Sequence, residues 1–114
     1  MLKKNCLLDI KENGDELLVR ISGEIDHHSA VYVRTEIDAQ IATLRPQKTV
    51  MELSSIDFMD SSGLGLIMGR YQKMRAIGGE LVLREPNERI IKIFKLAGLE
   101  KIVEIETKEK RDEA

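Results

Sequence analysis

Apolar residues along this chain follow two different periods, and the alternation between them predicts the order of elements. Two short apolar runs, 6–11 and 16–22, flank Asn13-Gly14-Asp15. Asn-Gly is a strong hairpin signal because both central positions of a tight turn favour positive φ. The two runs therefore read as paired strands, with Gly23 breaking the second. From Ser29 to Leu44 the residues Ala30, Val33, Ile37, Ile41 and Leu44 recur at steps of three and four, one face of a helix that Pro46 stops. A short, largely apolar strand is expected over 48–54, with Met51 and Leu53 as its last clearly buried positions. A second helix over 62–77 carries Leu64, Ile67, Met68, Tyr71 and Met74 on its face and ends at Gly78-Gly79. The next strand is 80–85. Pro86-Asn87 then opens a third helix bearing Ile90, Ile91, Phe94 and Ala97. Gly98 closes it, with Leu99 placed for the contact that follows a glycine C-cap, and 101–106 reads as a last strand.

The order β-β-α-β-α-β-α-β implies an α/β fold. Strands alternating with helices pair in parallel through right-handed crossovers, and the leading hairpin adds one antiparallel strand. The result is a mixed, mostly parallel sheet of about five strands; three helices are enough to cover one face, and the sequence alone does not settle whether the other is left partly open. A length of 114 residues suits one domain with one modest core. That domain is assigned to 1–106, and the charged tail 107–114 is expected to be frayed.

Composition narrows the function by exclusion. The net charge of −2 offers no basic field to nucleic acid or anionic lipid. Two Tyr, two Phe and no Trp give few platforms for stacking bases. Cys6 is the sole cysteine, so an internal disulfide or a cysteine-built metal site is ruled out, and a reducing cytoplasm fits. The start MLKKNCLLDI makes a poor signal peptide, and no stretch approaches the ~18 apolar residues of a membrane helix.

The candidate chemistry lies at two strand-to-helix turns. Asp60, Ser61 and Ser62 fall between the third strand and the second helix. Open α/β sheets place ligand and partner sites at such carboxyl ends of strands. The bland reading is capping, since Asp and Ser oxygens accept the free amide hydrogens of a first helical turn. A nucleophilic serine would need a base and a nucleophile-elbow pattern of glycines, but Met59 or Asp60 stands where the preceding glycine belongs and no partner acid is evident. A phosphate-binding loop would need Gly-Lys-Ser/Thr, which is absent. Gly65 and Gly69, four apart, suggest close packing of the helix on the sheet or on a partner. The remaining reading makes a serine here a phosphoacceptor. Its phosphate would be tolerated at a helix N-terminus and repelled by Asp60. The second turn, GEIDHHSA (23–30), brings Asp26 and Ser29 as candidate caps beside His27 and His28. If the two preceding strands are neighbours, both turns share one edge of the sheet. Metal binding by the histidines would require further ligands.

GEIDHHSA, FMDSSGLGLIMGRYQKM, IGGELVL and IFKLAGL occur in the order and spacing of a STAS domain. The chain resembles this family over about 7–105, and within it the anti-anti-sigma factors, the sporulation branch above the general-stress branch because of His27-His28 and Gly69-Arg70-Tyr71. The resemblance implies the STAS fold with three to four helices, no enzyme activity and no cofactor of its own. The partner it implies is a dimeric anti-sigma factor, also a serine kinase that binds ATP and a divalent metal, and binding releases a sigma factor. The kinase would phosphorylate Ser61, the serine directly after the aspartate, and a serine phosphatase would reverse this. Asp26, Asp60, Ser61, Ser62, Gly63, Leu64 and Gly65 are the partner-binding positions that it implies, on a protein that is a monomer when free. A small-ligand-binding STAS domain is the alternative.

Overall fold

In the computed structural model, which describes residues 6–107, strands β1 (Cys6–Asn13) and β2 (Glu16–Ile25) form the expected hairpin. The turn is centred one residue later than Asn-Gly suggests. Asn13 pairs with Glu16, so the loop is Gly14-Asp15, and Gly14 alone takes positive φ, at 64°. A single positive φ at the first central position is the type II′ pattern, which pairs strands with the same twist as type I′.

Helix α1 (His27–Leu44), strand β3 (Lys48–Met59), helix α2 (Ser61–Ala76), strand β4 (Glu80–Arg84), helix α3 (Glu88–Leu96) and strand β5 (Glu104–Glu106) follow in order. A single 3-10 turn, Leu99–Lys101, precedes β5, so the last strand is shorter than 101–106. The tail from 108 onward lies outside the described residues, and with it most of the expected frayed segment.

The sheet order is β1-β2-β3-β4-β5, antiparallel for the first pair and parallel for the rest. Parallel neighbours joined in sequence by right-handed crossovers place every connecting helix on the same face. The side chains agree. Leu17, Val19 and Ile21 of β2, Met51 and Leu53 of β3, and Leu81 and Leu83 of β4 share one core with Val33, Ile37, Ile41, Ile67, Met74, Ile90 and Phe94 of the helices. The opposite face runs in cross-strand rows. Leu18, Val50 and Val82 are register neighbours in one, and beside it Asp9, Arg20, Glu52, Arg84 and Glu106 alternate in charge across all five strands. Opposite charges on facing strands contribute roughly 0.2–1 kcal/mol per pair. Arg84 and Glu106, 2.6 Å apart, close the end of that row.

Two expectations are corrected, and both corrections shape the site. Gly23 does not end β2. It adopts φ 95°, the pairing to β3 shifts register on either side of it, and the strand resumes to the buried Ile25. A residue with a Cβ would be strained there, and an irregularity that adds twist lets the strand continue. Strand β3 likewise runs on past Ser54 to Met59, with Ile56 and Met59 buried beyond the positions expected to be last. Its final residues pair only with the extension of β2, because β4 ends opposite Glu52. On that unpaired side α3 supplies side chains instead. Asn87 Nδ2 donates to Ile56 O at 2.8 Å and Arg89 Nη1 to Asp57 O at 3.0 Å.

Candidate functional site

The extended ends of β2 and β3 bring the two turns together. Ile25 pairs with Met59, and the Asp60 amide donates to Ile25 O at 3.1 Å. Each strand therefore hands over to its helix at the same level of the sheet, with an aspartate at each N-cap.

Asp26 forms a capping box with Ser29. Its Oδ1 accepts from the amides of His28 (3.0 Å) and Ser29 (2.9 Å), while Ser29 Oγ accepts from the Asp26 amide at 2.9 Å. These bonds, led by the Ser29 amide, hold the Asp26 carboxyl below its ordinary value, and the nearby His28 adds to the effect. Among the described residues, every hydrogen bond to the carboxylate falls on Oδ1. Oδ2 has no partner among the described residues and stays available to a second molecule.

Asp60 repeats the arrangement more simply, its Oδ1 accepting from the Ser62 amide at 2.8 Å. Ser61 is then the first residue of α2. It is exposed, and its hydroxyl makes no hydrogen bond among the described residues. The cap is thus Asp60, not Ser61, and the Ser61 hydroxyl has no structural duty. Ser62 and Leu64 are half-buried and Gly65 is exposed. Gly63 is buried, and a Cβ there would lie 2.2 Å from Met59 Cγ, so its part is to let the helix start close over β3.

His27 and His28 are exposed on the first turn of α1, edge to face with ring centres 5.6 Å apart. Among the described residues no group of three or more His, Cys, Asp or Glu side chains is gathered for a metal. For Gly65 and Gly69, expected to pack on the sheet or on a partner, the sheet half is corrected. A Cβ at either would meet nothing within 4 Å, so neither packs against the sheet.

Arg70 is the residue the periodicity missed. It is 4% exposed on the buried face of α2, with Nε 2.9 Å from Asp38 Oδ1 on α1. A charged residue in an apolar stripe reads as solvent-facing by sequence, and only the neighbouring helix shows what it meets. The apolar expectation for the α2 face shifts accordingly: Gly63, Leu66, Ile67, Arg70 and Met74 are buried, whereas Leu64, Met68 and Tyr71 are half-buried.

A five-stranded mixed sheet covered by helices on one face, with a solvent-facing serine at the start of α2, defines an α/β domain that presents two capped turns at one edge of its sheet. The STAS domain model matches residues 8–114, and the chain belongs to that family. It is 37% identical over 101 residues to an anti-sigma F factor antagonist of Paenibacillus polymyxa, covering 89% of this chain and 86% of that one. It is 36% identical over 107 residues to an anti-sigma-B factor antagonist of Bacillus subtilis, covering 91% and 94% respectively. Its structure is similar to that of the anti-sigma factor antagonist SpoIIAA in its unphosphorylated form, with TM-score 0.79, 27% identity and 92% of each chain covered. The phosphorylated form of the Bacillus cell fate determinant SpoIIAA matches with TM-score 0.72 and 27% identity, over 94% of this chain and 97% of that one.

Proposed function

We propose that this protein is an anti-sigma factor antagonist: a non-catalytic binding module that docks on an anti-sigma factor and is switched off by phosphorylation of Ser61. The observation that carries this reading is the exposed, unengaged Ser61 hydroxyl directly after a capping aspartate, on a surface shared with the Asp26 turn. Relatives matched over most of their length carry the antagonist name, and a solved structural neighbour exists in unphosphorylated and phosphorylated forms. The partner is an anti-sigma factor that doubles as a serine kinase using ATP and a divalent metal, and a phosphatase restores the active form. Asp26 Oδ2, Asp60, Ser61, Ser62, Leu64 and Gly65 form the contact surface, with Gly63 setting its shape. Identity to the two branches is nearly equal, 37% and 36%. The assignment to sporulation therefore leans on His27-His28 and Gly69-Arg70-Tyr71. Among the described residues no helix is long and apolar enough to cross a membrane. Action in the cytoplasm, by a chain that is monomeric when free, is part of this proposal.

Intact-mass analysis after incubation with the cognate anti-sigma factor, ATP and magnesium tests this directly. The expected result is a gain of one phosphate, mapped to Ser61. An unmodified mass, with no complex formed, would overturn the proposal.

A further inference from the structure

Between α1 and α2 lies a groove of about 400 Å³, lined in part by His27 and Arg34 of α1 and by Ser62, Gly65, Gly69 and Arg70 of α2. Its described lining carries two guanidinium groups and an imidazole and no carboxylate. The two glycines make room for it, since side chains at either position would project into open space.

The second, independent observation is the state of Arg70. Its side chain is almost wholly buried, Asp38 Oδ1 lies 2.9 Å from Nε, and that contact lies outside hydrogen-bond alignment. The buried Nη1 finds no acceptor among the described residues. Burial lowers the pKa of this guanidinium, and the charge of Arg34 acts in the same direction, against the pull of Asp38. Two cations on one groove with an unanswered N–H edge are matched by an oxyanion, whose charge-assisted hydrogen bonds are the strong class. A macromolecular source fits better than a free anion. One wall of the groove is Ser62, the neighbour of the phosphoacceptor, and its rim includes the exposed, apolar Val31. The groove is thus continuous with the surface on which the partner docks.

We propose that the α1–α2 groove receives a carboxylate side chain, an aspartate or glutamate, presented by the anti-sigma factor docked over Ser61. This rests on the reading of the chain as an anti-sigma factor antagonist. The insertion pairs with Arg34 and sets a second counter-charge beside the buried Arg70, so the groove helps select the partner as well as bind it.

Two variants separate this from a structural role. Gly69→Leu fills the groove where space is open, and Leu favours helix over Gly, so the fold is retained. Arg34→Gln removes an exposed charge. Titration calorimetry with the purified cognate anti-sigma factor, ATP analogue and magnesium should show binding weakened about tenfold by each. The thermal midpoint of Gly69→Leu should not fall, and Ser61 phosphorylation should show a raised KM with an unchanged kcat. An Arg34→Glu variant should regain binding when one acidic residue of the anti-sigma factor is replaced by lysine. If wild type binds and both groove variants bind equally well, the carboxylate receptor is wrong while the antagonist reading stands. If wild type does not bind at all, both fall. If inorganic phosphate alone saturates amide shifts at 65–70 and leaves partner affinity unchanged, the groove serves a free oxyanion and the proposal is overturned.

Discussion

At the scale of single residues, the site divides two tasks between adjacent positions. Asp60 satisfies the helix start, which leaves the Ser61 hydroxyl free to react. Ser61→Ala is therefore expected to abolish phosphorylation without loss of stability, and Ser62→Ala to retain most of it; phosphopeptide mapping checks both. Removing the cap itself, by Asp60→Ala, should cost about 1 kcal/mol in chemical denaturation. On the proposed docking, one Asp26 carboxylate serves two roles: Oδ1 caps α1, and Oδ2, without a partner among the described residues, is left for the anti-sigma factor. Its folded pKa is depressed, so its contribution to stability is full above the unfolded value of about 3.9 and is lost as pH falls through the lower folded value. Asn also caps helices, so Asp26→Asn should stay folded, show a shallower fall of thermal midpoint between pH 5 and 2.5, and bind the anti-sigma factor more weakly. An unchanged affinity would remove Asp26 from the contact surface. Both caps are legible in sequence because capping is local chemistry. The burial of Arg70 is not, because its partner Asp38 sits on another helix and no local pattern announces the pair.

At the scale of elements, the decisive feature is the overhang of β3. Ser54 and Ser55 interrupt its apolar run, so the sequence pattern suggests an end where the strand in fact continues beside β2. The continuation is supported from the far side by Asn87 and Arg89, a tertiary tie across more than thirty residues that no window of sequence contains. Asn87 has two jobs, since its Oδ1 also caps α3 by accepting from Ile90 N at 2.9 Å. Asn87→Asp keeps the cap and removes the Nδ2 donor. Hydrogen exchange should therefore quicken at 56–60 with α3 protection unchanged, and slower phosphorylation of Ser61 should accompany it. Between α1 and α2 a comparable tie joins charged side chains. Asp38→Ala leaves the Arg70 guanidinium buried without a counter-charge and should destabilise the fold by about 2 kcal/mol, below the usual range for a broken buried pair because Asp38 is itself 27% exposed.

At the scale of the whole molecule, the one-sided sheet explains how a phosphate could switch binding without refolding the protein. The helices are packed on one core, and the Ser61 turn projects from its edge, joined to the rest by β3 and the capped start of α2. A phosphoryl group there adds roughly −1.5 to −2 charge. The α2 N-terminus tolerates it within the domain. On the proposed mechanism the partner surface does not, since it would already accommodate Asp60 and, after the reaction, a bound nucleoside diphosphate. Amide shifts on phosphorylation should accordingly stay near 58–66, and changes across the sheet would point to a conformational mechanism instead. The order of elements and the place of the two capped turns were readable because alternating periods and turn residues act locally. Which helix faces meet, and how far each strand extends, depend on packing between distant segments.

The most direct test of the account is the affinity of the cognate anti-sigma factor for unmodified and Ser61-phosphorylated protein, measured side by side with ADP and magnesium present. An unpaired charge buried in the interface costs several kcal/mol, and a loss of about 4 kcal/mol corresponds to binding weakened roughly a thousandfold. Ser61→Asp should move in the same direction and Ser61→Ala should bind like the unmodified protein. Equal affinity of the two forms would contradict the account.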